Sequence, residues 1–364
     1  MTWDAWIDGE TRAIRDAGRW RTPQTVDPNL VTFASNDYLG LTHHPAVVAA
    51  AHAALDRDGT GAGSARLIVG SRPIHRELED ALAAWKHSAR AALFPTGFAT
   101  NLGVLTTFGG PGVLICSDEL NHASIIDGCR LARAEVAVYG HNDLDHLGAL
   151  LRERGARRAI VVTDTVFSMD GDTVDAPALA DLCARERALL VVDEAHAVLG
   201  PALDDIPSDL DILRVGTLSK TLGALGGFIA GPTQYVELVE NVARPYIFTT
   251  APTPADTAAA LAALRVLLST EGGALVARLR AHVERLRPGH PSPILPYLCG
   301  SEADALAAAA QLRDRGILVP AIRPPTVAPG TSRLRVTVSA AHTDEQVAAL
   351  ADALDAVLGS VPRP

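Results

Sequence analysis

The sequence predicts an α/β protein whose core is a mostly parallel β-sheet with helices on both faces. Seven short segments between residues 91 and 230 are mostly apolar, which is typical of strands buried on both faces. Helical patterns separate most of these segments, and strands that alternate with helices form parallel sheets. The chain has 364 residues, of which 48% are hydrophobic, so it can bury a large core without disulfides or a structural metal.

Before the first strand of this sheet, the chain is predicted to form helices joined by extended segments. Residues 1–22 form an amphipathic helix with Trp3, Trp6 and Ile7 on one side. The further elements are an extended segment at 30–41, a helix at 45–58, a flexible glycine-rich run at 59–71 and a helix at 74–85.

The central part of the chain carries the alternation of strands and helices. Its last two strands are separated only by the loop SKTLGALGG, so we expect this pair to be antiparallel or closely joined. Ligands of parallel sheets bind beyond the carboxyl ends of the strands, and functional side chains are expected there. The predicted strands are 91–94, 113–116, 134–139, 159–163, 189–192, 212–215 and 227–230, and the predicted helices are 98–108, 123–132, 143–154 and 177–186.

The C-terminal part is predicted to form a smaller α+β unit. A long helical region runs from 254 to 287, and the proline-rich break RPGHPSPILP follows it. Beyond the break, strands are predicted around 294–298, 317–322 and 333–338, and helices at 302–315 and 343–358. The predicted domains are an N-terminal arm and helix (1–44), a large domain (45–253), a connecting helical region (254–288) and a small C-terminal domain (289–364).

The composition argues against several classes of protein. The formal net charge is −10, whereas a protein that coats nucleic acid needs a basic surface to neutralise phosphates. The four cysteines form no CxxC motif, which is typical of a reduced, intracellular chain. The N-terminal residues lack the apolar core of a signal peptide, and no apolar run of about 18 residues is present to span a membrane. We therefore expect a soluble cytoplasmic protein that binds neither nucleic acid nor membrane.

Lysine is rare in this sequence. Arginine supplies all but two of the 32 basic side chains, and the two lysines are Lys86 and Lys220. A lysine that persists in such a chain points to amine chemistry that arginine cannot perform. Lys86, in LAAWKHSAR, is predicted at a polar helix end and is expected to matter little. Lys220, in VGTLSKTLGALGG, has small and apolar neighbours and is the candidate nucleophile, with a structural lysine as the alternative.

Polar residues follow four of the predicted strands. PTGFATN follows 91–94 and opens a helix at Gly97, where free backbone N–H groups suit a phosphate, although an ordinary strand-to-helix turn has the same pattern. SDELNHAS follows 113–116 and supplies His122, although a single histidine is more often structural. The other two groups are Asp193 and His196 in DEAH, and Thr217, Ser219 and Lys220 in GTLSK.

Together these groups match one cofactor, pyridoxal 5′-phosphate (PLP). A lysine amine forms an imine with an aldehyde, an aspartate keeps a pyridinium nitrogen protonated, and an imidazole stacks on a ring. VVDEAH also matches the Walker B strand of a helicase, but that function requires an upstream GxxxxGK[ST] motif, which is absent. GTGAGS at 59–64 lacks the lysine and a preceding strand. No HExxH or GxSxG motif supports a zinc protease or an α/β-hydrolase.

Several segments in one order make the chain resemble the α-oxoamine synthase family of PLP enzymes over nearly its whole length. The most specific is VFSMDGD (166–172) with SK downstream. The others are SNDYLGL (35–41) followed by HHP, GTGAGSARLIVGS (59–71), PTGFATN (95–101), NHAS (121–124), VDEAH (192–196), TLSKTLG (217–223) and RLRVTVSAAHT (333–343). The resemblance implies PLP-dependent transferase fold type I, which is aspartate aminotransferase-like, with a large seven-stranded sheet domain and a smaller C-terminal α+β domain.

The resemblance also implies roles for individual residues. Lys220 is catalytic and carries the cofactor as an imine, Asp193 pairs with the pyridine nitrogen, and His122 stacks on the ring. Asn36 and Arg333 hold the substrate carboxylate. The other cofactor contacts are Gly97 and Phe98 through backbone N–H groups to the phosphate, Thr217 and Ser219 near the phosphate, His196 on the phenolate, Ser168 beside the cofactor, and Thr250 reaching the phosphate of the neighbouring subunit in a homodimer. No metal is implied.

Within the family, SNDYLGL followed by HHP and the short chain most resemble the branch that condenses L-alanine with a pimeloyl thioester in biotin biosynthesis. The acyl carrier, coenzyme A or acyl carrier protein, stays open. Alternatives are a sister enzyme, such as glycine C-acetyltransferase, 5-aminolevulinate synthase or a sphingolipid-type synthase, and a non-catalytic binding or regulatory protein with this fold. The segment AVLGPALDDIPSD after DEAH is shorter than is usual in the family. Arg333 and Arg335 lie two positions apart on one strand and face the same way, so the choice of Arg333 as the carboxylate anchor rests on the motif alone.

Overall fold

A computed structural model describes residues 2–23, 25–203 and 206–359 in two compact units. The larger unit comprises Ser35–Leu295 and Thr337–Val347. The smaller unit combines the N-terminal residues through Ala34, the segment Pro296–Val336 and the residues from Ala348 onward. The domain boundaries predicted from the sequence stay a prediction.

Helices and strands alternate through the first two thirds of the chain. A short 3-10 helix (Leu41–His43) and a π-helix (Arg66–Gly70) lie among them. In chain order the elements are α1 (Trp3–Asp16), β1 (Val31–Thr32), α2 (Pro45–Asp58), α3 (Pro73–Trp85), β2 (Arg90–Phe94), α4 (Gly97–Phe108), β3 (Val113–Asp118), α5 (Ala123–Leu131), β4 (Glu135–Tyr139), α6 (Leu144–Glu153), β5 (Arg158–Asp164), α7 (Ala176–Arg185), β6 (Leu189–Asp193), β7 (Ile212–Thr217) and β8 (Gly227–Gly231).

The remaining elements are mostly helical before the C-terminal strands. They are α8 (Thr233–Val242), α9 (Arg244–Ile247), α10 (Pro254–Leu267), α11 (Thr270–Leu286), β9 (Ile294–Gly300), α12 (Glu302–Asp314), β10 (Ile317–Leu318), β11 (Ala321–Ile322), β12 (Ser332–Thr337) and α13 (Asp344–Leu358). Among the described residues, no single helix is long and apolar enough to cross a membrane. The pair α10 and α11, bent by 78°, meets that test only when the two are taken together, by length and composition.

The large sheet confirms the predicted fold class. Its seven strands follow the order β2-β8-β7-β6-β5-β3-β4, and the pairs from β7 through β4 are parallel. Strand β8 runs antiparallel to both β7 and β2, so the prediction of an antiparallel last pair is also confirmed. The carboxyl ends of β5, β6 and β7 therefore meet at one edge of the sheet.

Alternate side chains of the strands enter two separate hydrophobic cores. On β3, Ile115 packs into the core with Phe94 and Val104. Its neighbours Leu114 and Cys116 pack into the other core, on the opposite face. A strand buried on both faces needs apolar residues at every position, which explains why these strands were recognisable as continuous apolar runs.

The structure differs from the predicted elements in four places. The N-terminal helix, predicted over residues 1–22, ends at Asp16. Helices α8 and α9 occupy a stretch for which the sequence predicted no element. The run at 59–71, predicted to be flexible, contains the π-helix. The helical region predicted from 254 to 287 is two helices, because Ser269 caps a new helix by accepting a hydrogen bond from Gly272 N at 3.4 Å. A Cβ at Gly272 would lie 2.2 Å from the Leu267 carbonyl oxygen, so only glycine fits this corner.

The smaller unit contains two small sheets. Strand β1 pairs in parallel with β10, and Val31 lies opposite Ile317. The other sheet has the order β11-β12-β9, in which β11 and β12 are antiparallel. Every residue of β12 is buried.

Candidate active site

A cavity of about 190 Å³ opens at the carboxyl edge of the large sheet. The register pairs Asp164 at the end of β5 with Asp193 at the end of β6, so two acidic residues stand side by side. Eight of the predicted site residues line this cavity, together with four that the sequence reasoning missed. The lining residues are Thr96, Gly97, Phe98, His122, Ser124, Asp164, Asp193, Ala195, His196, Thr217, Ser219 and Lys220.

The start of α4 forms a seat of hydrogen-bond donors at one end of the cavity. Thr96 is the N-cap and accepts a hydrogen bond from Ala99 N at 3.0 Å, whereas the N–H groups of Gly97 and Phe98 lie before the first intrahelical hydrogen bond. A Cβ at Gly97 would lie 3.3 Å from the Cβ of Thr217, tighter than ordinary contact. Thr217 Oγ1 would lie 3.5 Å from the same Cβ, and it is 2.8 Å from Ser219 Oγ, so the two hydroxyls lie together at this end of the cavity. Such a helix start suits a phosphate.

Asp193 is 6% exposed and is held by two donors. Its Oδ1 accepts a hydrogen bond from Ala195 N at 2.9 Å, and its Oδ2 accepts one from Asn101 Nδ2 at 2.7 Å. These two hydrogen bonds fix the orientation of the carboxyl group within the cavity. The sequence reasoning did not identify Asn101, although it lies four residues after Gly97 and therefore on the same face of α4.

His122 is the N-cap of α5 and its protonation state follows from its neighbours. Its Nδ1 accepts a hydrogen bond from Ser124 N at 3.2 Å, and Ser124 Oγ lies 2.7 Å from the same nitrogen. A backbone N–H can only donate, so Nδ1 is an acceptor and the neutral ring carries its proton on Nε2. Burial lowers the pKa of His122; the charge of Asp193 opposes this shift and that of Lys220 adds to it. The imidazole is therefore neutral and can stack on a cationic ring.

Lys220 lies at the end of a buried chain of hydrogen bonds. Its Nζ lies 2.8 Å from His196 Nε2, and His196 Nδ1 lies 2.5 Å from the hydroxyl of Tyr38. Tyr38 is fully buried, and its hydroxyl also lies 3.2 Å from Asn36 Oδ1. The hydrogen bond that one ring nitrogen of a histidine makes determines which of the two nitrogens carries the proton. The Tyr38 hydroxyl on Nδ1 can therefore set the state of Nε2, which faces Lys220. Tyr38 was missed because SNDYLGL was considered only as a motif, with Asn36 as its functional residue.

Asp164 is a further buried acid of the cavity that the sequence reasoning missed. Its Oδ2 accepts a hydrogen bond from the backbone N–H of His122 at 2.8 Å. Burial, together with the neighbouring charge of Asp193, raises the pKa of Asp164 well above its ordinary value. Its position at the end of an apolar strand, immediately before the VFSMDGD segment, was the signal that could have found it.

Four predicted residues are not among those that line the cavity. Ser168 lies in the turn after β5, Asn36 contacts Tyr38 as described, and Thr250 is exposed after α9. Arg333 lies on β12 in the smaller unit, where it is buried and its Nε donates to the Thr331 carbonyl at 2.9 Å. The roles predicted for these four residues stay predictions.

Lys86 is more deeply placed than the sequence suggested. It follows α3, its side chain is 11% exposed, and its Nζ lies 2.8 Å from Glu194 Oε2. Arg214 Nη1 lies 3.2 Å from the other carboxylate oxygen, Glu194 Oε1. These residues line a second cavity of about 310 Å³, together with part of the short segment that follows DEAH. Residues 204 and 205 of that segment lie outside the described part of the chain. The expectation that Lys86 matters little is therefore wrong for the fold, because Lys86 neutralises a buried carboxylate next to Asp193.

Comparisons with known proteins agree with this geometry. The family model described as aminotransferase class I and II matches residues 28–354. The chain belongs to this family. The 8-amino-7-oxononanoate synthase of Anaeromyxobacter dehalogenans is 46% identical over 98% of this chain and 96% of its own length. The 8-amino-7-oxononanoate synthase of Methylobacterium sp. is 48% identical over 89% of this chain and 86% of its own length.

Solved structures of the same aminotransferase class I and II fold cover nearly the whole chain. A serine palmitoyltransferase from S. paucimobilis with bound PLP has a TM-score of 0.91 at 27% identity and covers 99% of both chains. An 8-amino-7-oxononanoate synthase from Francisella tularensis has a TM-score of 0.76 at 25% identity and covers 92% of this chain and 98% of its own. The predicted α-oxoamine synthase resemblance and fold type I are thereby confirmed.

PLP, the cofactor that the family implies, fits the residues of the cavity. At the seat, a Cβ on Gly97 would crowd the Thr217 side chain at 3.3 Å, and backbone N–H groups and hydroxyls there can bind a phosphate. Asp193 is a buried acceptor for a ring nitrogen. His122 is a neutral imidazole, and Lys220 supplies an amine within the same cavity. Each part of the cofactor thus meets a residue of matching chemistry.

Proposed function

We propose that this protein condenses L-alanine with a pimeloyl thioester to give 8-amino-7-oxononanoate, CO2 and the free thiol carrier, a step of biotin biosynthesis. The observation that carries the proposal is the convergence of Lys220, Asp193 and a neutral His122 on one cavity of about 190 Å³. The names of relatives at 46–48% identity support this choice of reaction within the family. The same cavity in a non-catalytic protein would have no need of an amine.

When bound, PLP supplies an electron sink that stabilises negative charge at the Cα of an amino acid. Lys220 would hold it covalently through Nζ, and the backbone of Gly97 and Phe98 with the Thr217 and Ser219 hydroxyls would bind its phosphate. Asp193, oriented by hydrogen bonds from Ala195 N and Asn101 Nδ2, would hold a proton on the ring nitrogen and so keep the sink effective.

Lys220 is also the residue that would move protons at the substrate Cα. Its amine is close enough to His196 Nε2, at 2.8 Å, to exchange a hydrogen bond with it in either protonation state. A neutral imidazole at this position can accept from an ammonium or donate to a free amine. Lys220 can therefore take the Cα proton and later return one.

The substrate carboxylate is proposed to bind Asn36 and Arg333. Binding at a fixed point orients the Cα–H bond across the cofactor ring, and this alignment decides which bond is broken. Arg335 lies two positions along β12 and is buried like Arg333, so both are candidates for the anchor. The effect on KM for alanine distinguishes them: replacing the anchor by alanine should raise KM far more than replacing the other arginine.

The protein is proposed to act as a homodimer with Thr250 reaching the partner subunit's phosphate seat. The π-helix exposes three consecutive apolar residues, since Leu67, Ile68 and Val69 are 52%, 73% and 67% exposed. Phe248, two residues before Thr250, is 70% exposed. Exposed contiguous apolar surface of this kind marks interfaces. Sedimentation should give a dimer that Ile68→Glu dissociates, and a monomeric wild-type protein would contradict the proposal.

The reaction is tested by following thiol release from a panel of thioesters with each amino acid. The purified protein loaded with PLP should release thiol with pimeloyl-CoA and alanine, and kcat/KM should exceed that for acetyl-CoA or succinyl-CoA by a wide margin. A pocket fitted to one methyl group discriminates by about 1–3 kcal/mol, so alanine should exceed glycine and serine by about 10- to 200-fold. A preference for acetyl-CoA with glycine would instead assign the glycine C-acetyltransferase reaction, and no thiol release with any pair would favour a binding or regulatory role.

A further inference from the structure

The segment that carries Ser168 is a tight turn with a specific internal structure. We call residues 166–173 the Ser168 turn. An antiparallel bridge joins Val166 and Thr173, and Phe167 N donates to the Asp172 carbonyl at 3.0 Å. Thr165, immediately before the turn, donates from its backbone N–H to the Asp193 carbonyl at 2.9 Å. The turn is thereby tied directly to the backbone of the buried aspartate in the active site.

One side of the Ser168 turn is held by residues near β9. The hydroxyl of Ser292 donates to the Gly171 carbonyl at 2.6 Å. Gly171 has a φ of +71°, and a Cβ there would lie 2.0 Å from the Ile294 carbonyl oxygen, so the turn fits this wall only with glycine.

The other side of the Ser168 turn is held by His141. Its Nδ1 lies 3.0 Å from Asp118 Oδ1, and its Nε2 lies 2.6 Å from Asp172 Oδ2. A carboxylate oxygen can only accept, so each ring nitrogen must carry a proton to bond its partner. A neutral imidazole would turn a bare lone pair toward one of the two carboxylates. Two carboxylates, one on each ring nitrogen, therefore favour the imidazolium form of His141.

The anchor on the sheet side is rigid. Asp118 ends β3, and its side chain is 1% exposed. Besides His141, it accepts hydrogen bonds from Leu120 N at 2.9 Å and from Asn142 N at 2.9 Å. Asn142 also reaches the turn, because its Nδ2 donates to Asp172 Oδ2 at 3.2 Å. The connection from the sheet to Asp172 thus depends on two adjacent residues, of which only His141 brings a charge.

We propose that His141 is a positioning residue whose imidazolium clamps the Ser168 turn to the end of β3, and that the turn loosens when this ring loses its proton. The clamp itself is independent of the reaction. Its consequence for the cofactor rests on the proposed function, in which Ser168 lies beside PLP. The clamp also assigns a role to Asp172, the last residue of the VFSMDGD segment.

The direction of the pH dependence follows from the groups around His141. Burial lowers the pKa of His141, but the hydrogen bonds and charges of Asp118 and Asp172 outweigh burial and raise the pKa above its ordinary value. His141 is therefore fully protonated, and the clamp intact, when the pH is below the ordinary pKa of histidine. The clamp is lost as the pH rises through the raised pKa of His141 in the folded protein. The other titratable groups that face the clamp or flank it are Glu119, Asp143, His146, Asp170 and His290.

Amide hydrogen exchange of peptides that cover residues 165–174 tests the clamp in the full-length protein loaded with PLP. His141→Gln should raise exchange in these peptides by about tenfold or more, because the charge-assisted hydrogen bonds to Asp118 and Asp172 are lost. Asp172→Asn, which keeps the size of the side chain, should do the same. His52→Gln makes the same substitution at an exposed histidine on α2 and should leave the peptides unchanged.

The pH series separates a clamp from a merely structural histidine. After correction for intrinsic rates, wild-type exchange at 165–174 should accelerate as the pH passes the raised pKa of His141, and this acceleration should vanish in His141→Gln and Asp172→Asn. The same two variants should bind PLP more weakly. Unchanged exchange in both variants, or the same pH step in wild type and His141→Gln, would overturn the clamp. Faster exchange without weaker PLP binding would overturn only its connection to the cofactor.

Discussion

Replacing Asp193 by asparagine tests whether this carboxylate sets the electronic properties of the site. The side chain is 6% exposed, and the change removes a charge with almost no change in shape. Its Oδ1 can still accept from Ala195 N, but the new amide group would face Asn101 Nδ2, which now bonds Oδ2 at 2.7 Å. Two donors would then oppose each other unless the Asn101 amide turns over.

The expected loss is that of one preorganised electrostatic group of an active site. Removing such a group costs about 2.7–4 kcal/mol of transition-state stabilisation, so kcat should fall by about 100- to 1,000-fold. PLP should remain bound, because the phosphate seat and Lys220 are unchanged. In the cofactor-free protein, the pKa of His122 should fall further below its ordinary value, since the charge of Asp193 opposes the lowering by burial.

The assay is thiol release at saturating substrates, with PLP occupancy measured by absorbance and the pKa of His122 by NMR titration. The double variant Asp193→Asn with Asn101→Asp is the matched control, because it restores a carboxylate-to-amide hydrogen bond with the charge on α4. The control should recover stability without recovering kcat. Near wild-type activity of Asp193→Asn, or recovery of kcat by the double variant, would refute the reasoning.

Two further changes probe the surroundings of the site. Tyr38→Phe leaves Nδ1 of His196 without its 2.5 Å partner, so the free energy of unfolding should fall by about 1–3 kcal/mol and kcat should fall with it; an unchanged denaturation midpoint would contradict this. Glu194→Gln leaves Lys86 and Arg214 as buried cations without their shared carboxylate, so unfolding by urea should show a loss of about 3–5 kcal/mol. A loss below 1 kcal/mol would mean that solvent already screens this cluster.

The strands and the cofactor chemistry were predictable because their signals are local. Strand β3 is buried at all six positions and its first four residues are apolar, so the strand could be recognised without knowledge of its neighbours. Asp193 and Lys220 could be recognised because each follows such a strand directly, and strand ends in a parallel sheet converge on one edge. Helices α8 and α9 lacked a comparable signal and were not predicted.

The supporting residues of the site could not be predicted because their partners are distant in sequence. Asn101 bonds Asp193 across 92 positions, and Tyr38 bonds His196 across 158. Lys86 was placed at a polar helix end from its immediate neighbours, yet its partner Glu194 follows β6, far away in the sequence. Such contacts are created by tertiary packing, which a local pattern does not encode.

The most direct test of the account is to find which lysine carries the cofactor. The chain has only Lys86 and Lys220, and the structure gives them different surroundings. Lys86 is engaged by Glu194, whereas Lys220 lines the cavity with Asp193 and His122. Borohydride reduction of the PLP-loaded protein, followed by peptide mass spectrometry, should find the reduced adduct on the peptide that contains Lys220, and Lys220→Ala should abolish both adduct and turnover. An adduct on Lys86, or full turnover by Lys220→Ala, would contradict the account.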